Sequence, residues 1–250
     1  MKIVSFFIGV RGKIRRSFSE RGIAGTLLYI PKFSASRLKS SLSSRRRREK
    51  LDELRSQQQF DREFKVDTAG IVLLTDMKVI GPNLDHGHYY AGTDPKVFQR
   101  VMQQLPINHA DFTFIDYGSG KGKALLLASL WNFMAVVGVE FAKTLHETAL
   151  LNCESFVHPD KKCRNIQPLH IDATQFDLPL TPLLLYFYNP FSEAVMLAVL
   201  KKIETSLIDY PRDVWICYTY LYSNAPLDKA SFLNLIVKND DYRIYRTAVS

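Results

Sequence analysis

Three glycines at alternate positions, Gly118, Gly120 and Gly122, follow an apolar run from Phe112 to Ile115 that ends in Asp116. Glycine admits positive φ and, lacking Cβ, lets a ligand press against backbone. The apolar run before the glycines and the run Ala124 to Leu130 after them predict strand, turn and helix, the first unit of a nucleotide-binding α/β sheet. Two rival ligand patterns fail. A dinucleotide fingerprint needs glycine three positions after Gly120, where Lys123 stands. A phosphate loop needs Ser or Thr after Gly122-Lys123, where Ala124 stands, and glycine five positions before Gly122, where Tyr117 stands.

Further polar residues fall at the ends of further apolar runs. Glu140 closes Ala135 to Val139, 24 positions after Asp116, and a carboxylate there can accept both hydroxyls of a ribose. Ile166 to Ile171 leads into Asp172, and Leu183 to Tyr188 leads into Asn189-Pro190-Phe191. The last of these runs is apolar nearly throughout, as a strand buried on both faces should be. Open α/β sheets bind ligands beyond the carboxyl ends of their strands, so this placement gathers Asp116, Glu140, Asp172 and Asn189 along one edge.

The remaining elements must hold that edge in place. Helices are predicted over 121–131, 142–156 and 192–207. Asp94-Pro95 opens another, whose apolar positions Phe98, Val101, Met102 and Leu105 follow helical spacing. Asp213 to Tyr220 is a fifth strand, and the runs 233–238 and 242–249 flank Asn239-Asp240-Asp241 as a terminal antiparallel hairpin. The expected fold is α/β and Rossmann-like: a seven-stranded, mostly parallel sheet with that hairpin at its end, helices on both faces and a basic N-terminal extension.

The segment Asp116-x-Gly118-x-Gly120-x-Gly122 after a strand resembles motif I of the class I S-adenosylmethionine-dependent methyltransferases. The resemblance implies the seven-stranded methyltransferase sheet and S-adenosyl-L-methionine as cofactor. Asp116, Gly118, Ser119, Gly120 and Gly122 would form the turn against the donor, with Asp116 toward its methionine end. Glu140 would fix the ribose and Asp172 the adenine amino group. An N-terminal segment folds over the cofactor in many such proteins, which would bring Tyr89 or Tyr90 near the methionine end. Asn189-Pro190-Phe191 resembles the Asn/Asp-Pro-Pro-Tyr/Phe motif of amino-group methyltransferases, with one proline in place of two. There the Asn side chain and a backbone carbonyl hold the acceptor nitrogen and the aromatic ring packs on the acceptor. Over about residues 61–220 the motifs are similar to those of bacterial class I proteins that resemble the non-SET histone-lysine and mitochondrial protein-lysine methyltransferases. Tyr117 stands where a leucine is common.

Charge divides the chain unevenly. Residues 1–65 hold 17 Lys/Arg against 6 Asp/Glu, and residues 66–250 hold 16 against 19. The expected organisation is a basic arm over 1–60, an entry or cap segment over 61–110, and a cofactor-binding core over 111–250. The arm carries Arg45 to Arg48 after a serine-rich stretch, and such a segment could lie on RNA, a membrane surface or an acidic partner. Glu49 to Phe60 is expected to form a short exposed helix. The acceptor class stays open between protein, nucleic acid and small molecule. A nucleic-acid methyltransferase and a non-catalytic cofactor-binding module are the alternatives. Cys153, Cys163 and Cys217 match no zinc or redox spacing, and His86 and His88 lack an evident third ligand, so no metal is expected. The cysteine usage favours a reduced, cytoplasmic setting, with peripheral attachment to a membrane as a possibility for the arm. No apolar run reaches the length of a spanning helix.

Overall fold

The computed structural model describes residues 55–72, 90–188, 190, 192–219 and 225–248. Expectations for the basic arm, for His86, His88 and Tyr89, and for Asn189 and Phe191 lie outside these residues. From Ser56 onward the described part belongs to one compact unit.

Strands β3 (Thr113–Tyr117), β4 (Ala135–Glu140), β5 (Ile166–His170), β6 (Leu183–Tyr188), β7 (Val214–Thr219), β8 (Leu233–Lys238) and β9 (Tyr242–Thr247) form one seven-stranded sheet in the order β5-β4-β3-β6-β7-β9-β8. Pairing is parallel from β5 through β7, and β9 runs antiparallel to both of its neighbours. This is the expected fold. A separate two-stranded piece joins β1 (Ile71–Val72) to β2 (Tyr90–Ala91).

The central strands are apolar because both faces are covered. On one face Ile115, Tyr117, Leu185 and Phe187 pack with Val199 and Ile203, and the Tyr117 ring stacks on Phe187 at 4.9 Å between centroids. A tyrosine where a leucine was the common residue therefore fills the same layer as its neighbours. On the other face Phe114, Leu184 and Tyr186 pack with Phe98, Met102 and Leu125.

Helices begin where local chemistry allows. Helix α2 (Pro95–Gln104) starts as expected: Asp94 accepts the amide of Lys96 at 2.8 Å and Pro95 takes the first turn. Helix α3 (Lys123–Ala128) starts two residues later than the predicted 121, because Gly122 sits in the left-handed region at φ 84° before it. Helix α4 (Lys143–Ser155) and helix α5 (Glu193–Asp209) match their expected positions within two residues. A short helix α6 (Ala225–Lys229) lies beyond the sequence expectations.

The exposed helix expected over Glu49 to Phe60 differs more. A helix α1 covers 55–64, so the boundary drawn between 60 and 61 falls inside it. Its inner face is not exposed: Gln57 is buried and donates to the Gly92 carbonyl at 3.1 Å. Phe60 and Phe64 pack on one another and on Phe156 after α4. No described helix is long and apolar enough to cross a membrane.

Candidate functional site

The strand order reverses between β3 and β6, which are neighbours with their crossovers leaving in opposite directions. A crevice at such a switch point is where an open α/β sheet binds its ligand. The glycine turn follows β3, and Pro190 follows β6.

The turn is tied down on the sheet side. The amides of Gly118 and Ser119 both donate to the Val139 carbonyl, at 2.8 and 3.1 Å, and the Gly122 amide donates to Ser119 at 2.8 Å. Gly118, Gly120 and Gly122 have φ of 77°, 54° and 84°, which β-carbon-bearing residues rarely adopt. Space is also short, and the chain itself fills it. A Cβ on Gly118 would meet Pro190 Cβ at 2.5 Å, and one on Gly120 would overlap the Tyr90 ring at Cδ2 and Cε2. Close approach at these two glycines was expected from a ligand; here it comes from Pro190 and Tyr90 of the protein itself. The Ser119 side chain turns under the loop, toward Gly138: a Cβ at Gly138 would lie 2.8 Å from Ser119 Oγ.

Asp116 is next to last in β3 and Glu140 last in the adjacent β4, and both are buried. Glu140 Oε2 accepts the Gly120 amide at 2.8 Å, and its Oε1 accepts the Ala142 amide at 2.7 Å. Each carboxylate oxygen has two acceptor positions, so Glu140 braces the turn and keeps capacity for hydroxyl donors. Burial pushes the Asp116 carboxyl up to about 8, and the neighbouring charge of Glu140 adds to the shift. Burial likewise raises Glu140 to about 7, against backbone amides of Ala142, Gly120 and Phe141 that favour its ionised form. Among the described residues neither acid takes part in an ion pair. The nearby Lys121 Nζ is drawn instead to Asp67 Oδ1 at 2.6 Å.

Two buried acids that pair with no cation among the described residues leave room for a ligand to supply one. A ligand with a cationic group beside them favours the ionised forms and so releases protons on binding. Its affinity is therefore expected to fall as pH is lowered through about 8 and then about 7, the values of Asp116 and Glu140. Calorimetry with S-adenosylmethionine in buffers of different ionisation enthalpy would measure the protons released near neutral pH. Affinity that does not change over that range would mean that the acids do not face the ligand's charge.

Tyr90, in β2, is buried, and its hydroxyl donates to the Thr68 carbonyl at 2.6 Å. Its ring lies on Gly120, and Lys121 Nζ sits 5.8 Å from the ring centroid. The entry segment thus covers the glycine turn, as a cap would. Asp172 is half-buried, and its Oδ1 accepts both the amide and the hydroxyl of Thr174, at 2.8 and 2.7 Å. That carboxylate shapes its own turn. The Ile171 amide donates to the Glu140 carbonyl at 3.0 Å, which brings this turn beside the end of β4.

Two contributors lay outside the sequence expectations. Asp61 at the end of α1 accepts the amides of Thr68 and Ala69 and the Thr68 hydroxyl. Asn152 on α4 bonds to backbone of both the cap and the glycine turn. Asn152 had a signal: it stands in line with Leu145 and Ala149 on the buried stripe of α4, where a polar residue needs a built set of partners.

No family model and no curated protein matches the chain. Solved structures of similar shape include an RNA methyltransferase from Salinibacter ruber in complex with S-adenosyl-L-homocysteine, at 16% identity and TM-score 0.44, covering 64% of this chain and 94% of that one. The 23S rRNA methyltransferase ErmE covers 63% of this chain and 69% of its own, at 12% identity and TM-score 0.41. The mitomycin 7-O-methyltransferase MmcR covers 62% and 54%, at 10% identity and TM-score 0.45. The fold assignment rests on this chain's own strand order, a seven-stranded sheet with its glycine turn and two buried acids at the switch point.

Proposed function

We propose that this protein is an S-adenosylmethionine-dependent methyltransferase acting on a nitrogen acceptor. The observation that carries the proposal is the buried pair Asp116 and Glu140 at the glycine turn, neither of them ion-paired among the described residues. The rival dinucleotide and phosphate-loop patterns fail at Lys123 and Ala124. S-adenosylmethionine brings an adenosyl ribose together with a sulfonium and an ammonium group, and it supplies a methyl group already activated for transfer. Glu140 fits the ribose hydroxyls and the turn backbone fits close contact with the donor. Asp116 fits the cationic methionine end.

The protein's own contribution is alignment and exclusion of water. Tyr90 closes one side of the turn. The segment that contains Pro190 reaches the turn from the other side, against Gly118. The nitrogen preference rests on the resemblance of Asn189-Pro190-Phe191 to the amino-group motif, with Asn189 orienting the acceptor nitrogen and Phe191 packing on the acceptor. Protein lysine is the substrate suggested by the wider resemblance over residues 61–220. The basic first quarter of the chain favours a second acceptor, RNA or DNA gripped by the arm.

Calorimetry with S-adenosylmethionine, S-adenosylhomocysteine, NAD and ATP tests the donor. The first two are expected to bind and the last two are not; tight NAD binding without the others would overturn the reading. Incubation of a cell extract with methyl-labelled S-adenosylmethionine tests the acceptor. Label in protein lysine supports the first acceptor. Label in RNA or DNA, with salt-dependent binding that is lost on deleting residues 1–48, supports the second. Donor binding with no labelled product would leave a cofactor-binding module.

A further inference from the structure

Asn152 is buried within α4 and spends its amide on two segments distant in sequence. Its Oδ1 accepts the Asp67 amide at 2.8 Å, and its Nδ2 donates to the Asp67 carbonyl at 2.8 Å and to the Lys121 carbonyl at 2.8 Å. Asp67 belongs to the cap, and Lys121 is the residue between Gly120 and Gly122. One side chain therefore holds both backbone groups of a cap residue and one backbone group of the glycine turn.

The rest of the cap depends on that register. Thr68, next to Asp67, offers its carbonyl to the Tyr90 hydroxyl, and the Tyr90 ring covers Gly120. The Asp67 carboxylate pairs with Lys121 Nζ on the outer side, where the Asp67 side chain is 67% exposed. Lys121, whose side chain is 12% exposed, also donates to the Ala69 carbonyl at 3.4 Å, so this pair is a second tie, open to solvent on its Asp67 side. The Asn152 amide is shielded and satisfied in three directions, and a buried group left without such partners is costly. We propose that Asn152 is a positioning residue that latches the cap, through Asp67, onto the glycine turn, so that a bound donor leaves only when this latch opens. The inference rests on the donor reading above for the identity of the ligand, but not for the latch itself.

The test uses the full chain with Asn152→Leu, which keeps the volume, and Asn152→Asp, which keeps the acceptor and removes both donations. Two quantities are measured: the dissociation rate of S-adenosylhomocysteine by stopped flow, and amide hydrogen exchange along the chain. Both variants are expected to release S-adenosylhomocysteine about tenfold faster or more, the scale of a lost buried hydrogen bond. Exchange protection should fall at 66–69, 90–92 and 119–122 while β3, β4 and β6 stay protected. The proposal is overturned if Asp67 loses protection and the dissociation rate does not change. It is overturned equally if protection falls throughout the sheet, because Asn152 would then be a general structural residue. If the wild-type protein binds no S-adenosylhomocysteine, the donor reading fails. Exchange still decides the latch: coupled loss in the cap and the turn supports it, and loss in neither overturns it.

Discussion

Gly120→Val is expected to reduce donor affinity below detection while leaving the sheet folded. Two effects act together. At φ 54° a branched side chain is strained, which costs about 1–3 kcal/mol. The new Cβ also falls inside the Tyr90 ring, so the ring must leave the turn and the cap must open. Gly120→Ala separates the two effects. It carries most of the φ penalty and the same overlap, and Tyr90→Ala removes the overlap together with the buried ring and its bond to the Thr68 carbonyl, so Tyr90→Ala alone is the reference for the double variant. In thermal unfolding, Gly120→Ala should therefore cost less stability in the Tyr90→Ala background than in the wild type. No cost in that background would mean that φ is not strained, and an equal cost in both would mean that Tyr90 does not lie on the turn. Calorimetry with S-adenosylhomocysteine reads the affinity, and binding of Gly120→Val at wild-type strength would place the ligand elsewhere.

The contact between Tyr90 and Gly120 shows where sequence reasoning reached and where it stopped. The strands were legible because runs such as Leu183 to Tyr188 are apolar on both faces and are bounded by polar residues. Glu140 was legible because its distance from Asp116 is set by one strand-helix-strand repeat. Asp61 was not, because most of its partners are backbone amides, and Asn152 left only the signal of a polar residue on a buried helix stripe, which does not name its partners. The exposed helix expected over Glu49 to Phe60 was misjudged for a related reason. Helix α1 buries Gln57 and half-buries Phe60 against the domain, so charged and glutamine-rich composition hid an inner face. The glycines form the positive-φ turn expected after the strand, but the reason for two of them was incomplete: Gly118 and Gly120 make room for Pro190 and Tyr90.

Glu140→Ala carries the second large effect. It leaves the amides of Gly120 and Ala142 without their carboxylate, at about 1–3 kcal/mol for each unsatisfied buried donor. It also removes the proposed ribose acceptor. Donor affinity is expected to fall about a hundredfold or more, read by calorimetry. The effect on the ligand-free protein should depend on pH. Burial raises Glu140 from 4.5 in its ordinary state to about 7 in the fold. A group raised in this way contributes stability that is full below its unfolded value and is lost as pH rises through its folded value. Glu140→Ala should therefore destabilise the ligand-free protein more at pH 5 than at pH 8. Unfolding midpoints in urea at the two values measure the difference, and an equal cost at both would show that Glu140 is already ionised in the folded protein.

The position of β9 bears on how the chain is made. Residues 242–247 pair with β7 on one side and β8 on the other, although both neighbours precede them in sequence. A nascent chain that has emerged only as far as Lys238 carries two strands whose shared partner is still inside the ribosome. Until Thr247 emerges, β7 ends the sheet with an unpaired row of backbone groups and with Trp215 and Cys217 lacking the cover of Ile244. An edge of that kind invites pairing with other chains. Stalling or premature termination near residue 240 would thus release a protein whose glycine turn is complete but whose sheet is open, a species destined for chaperones or aggregates rather than for catalysis.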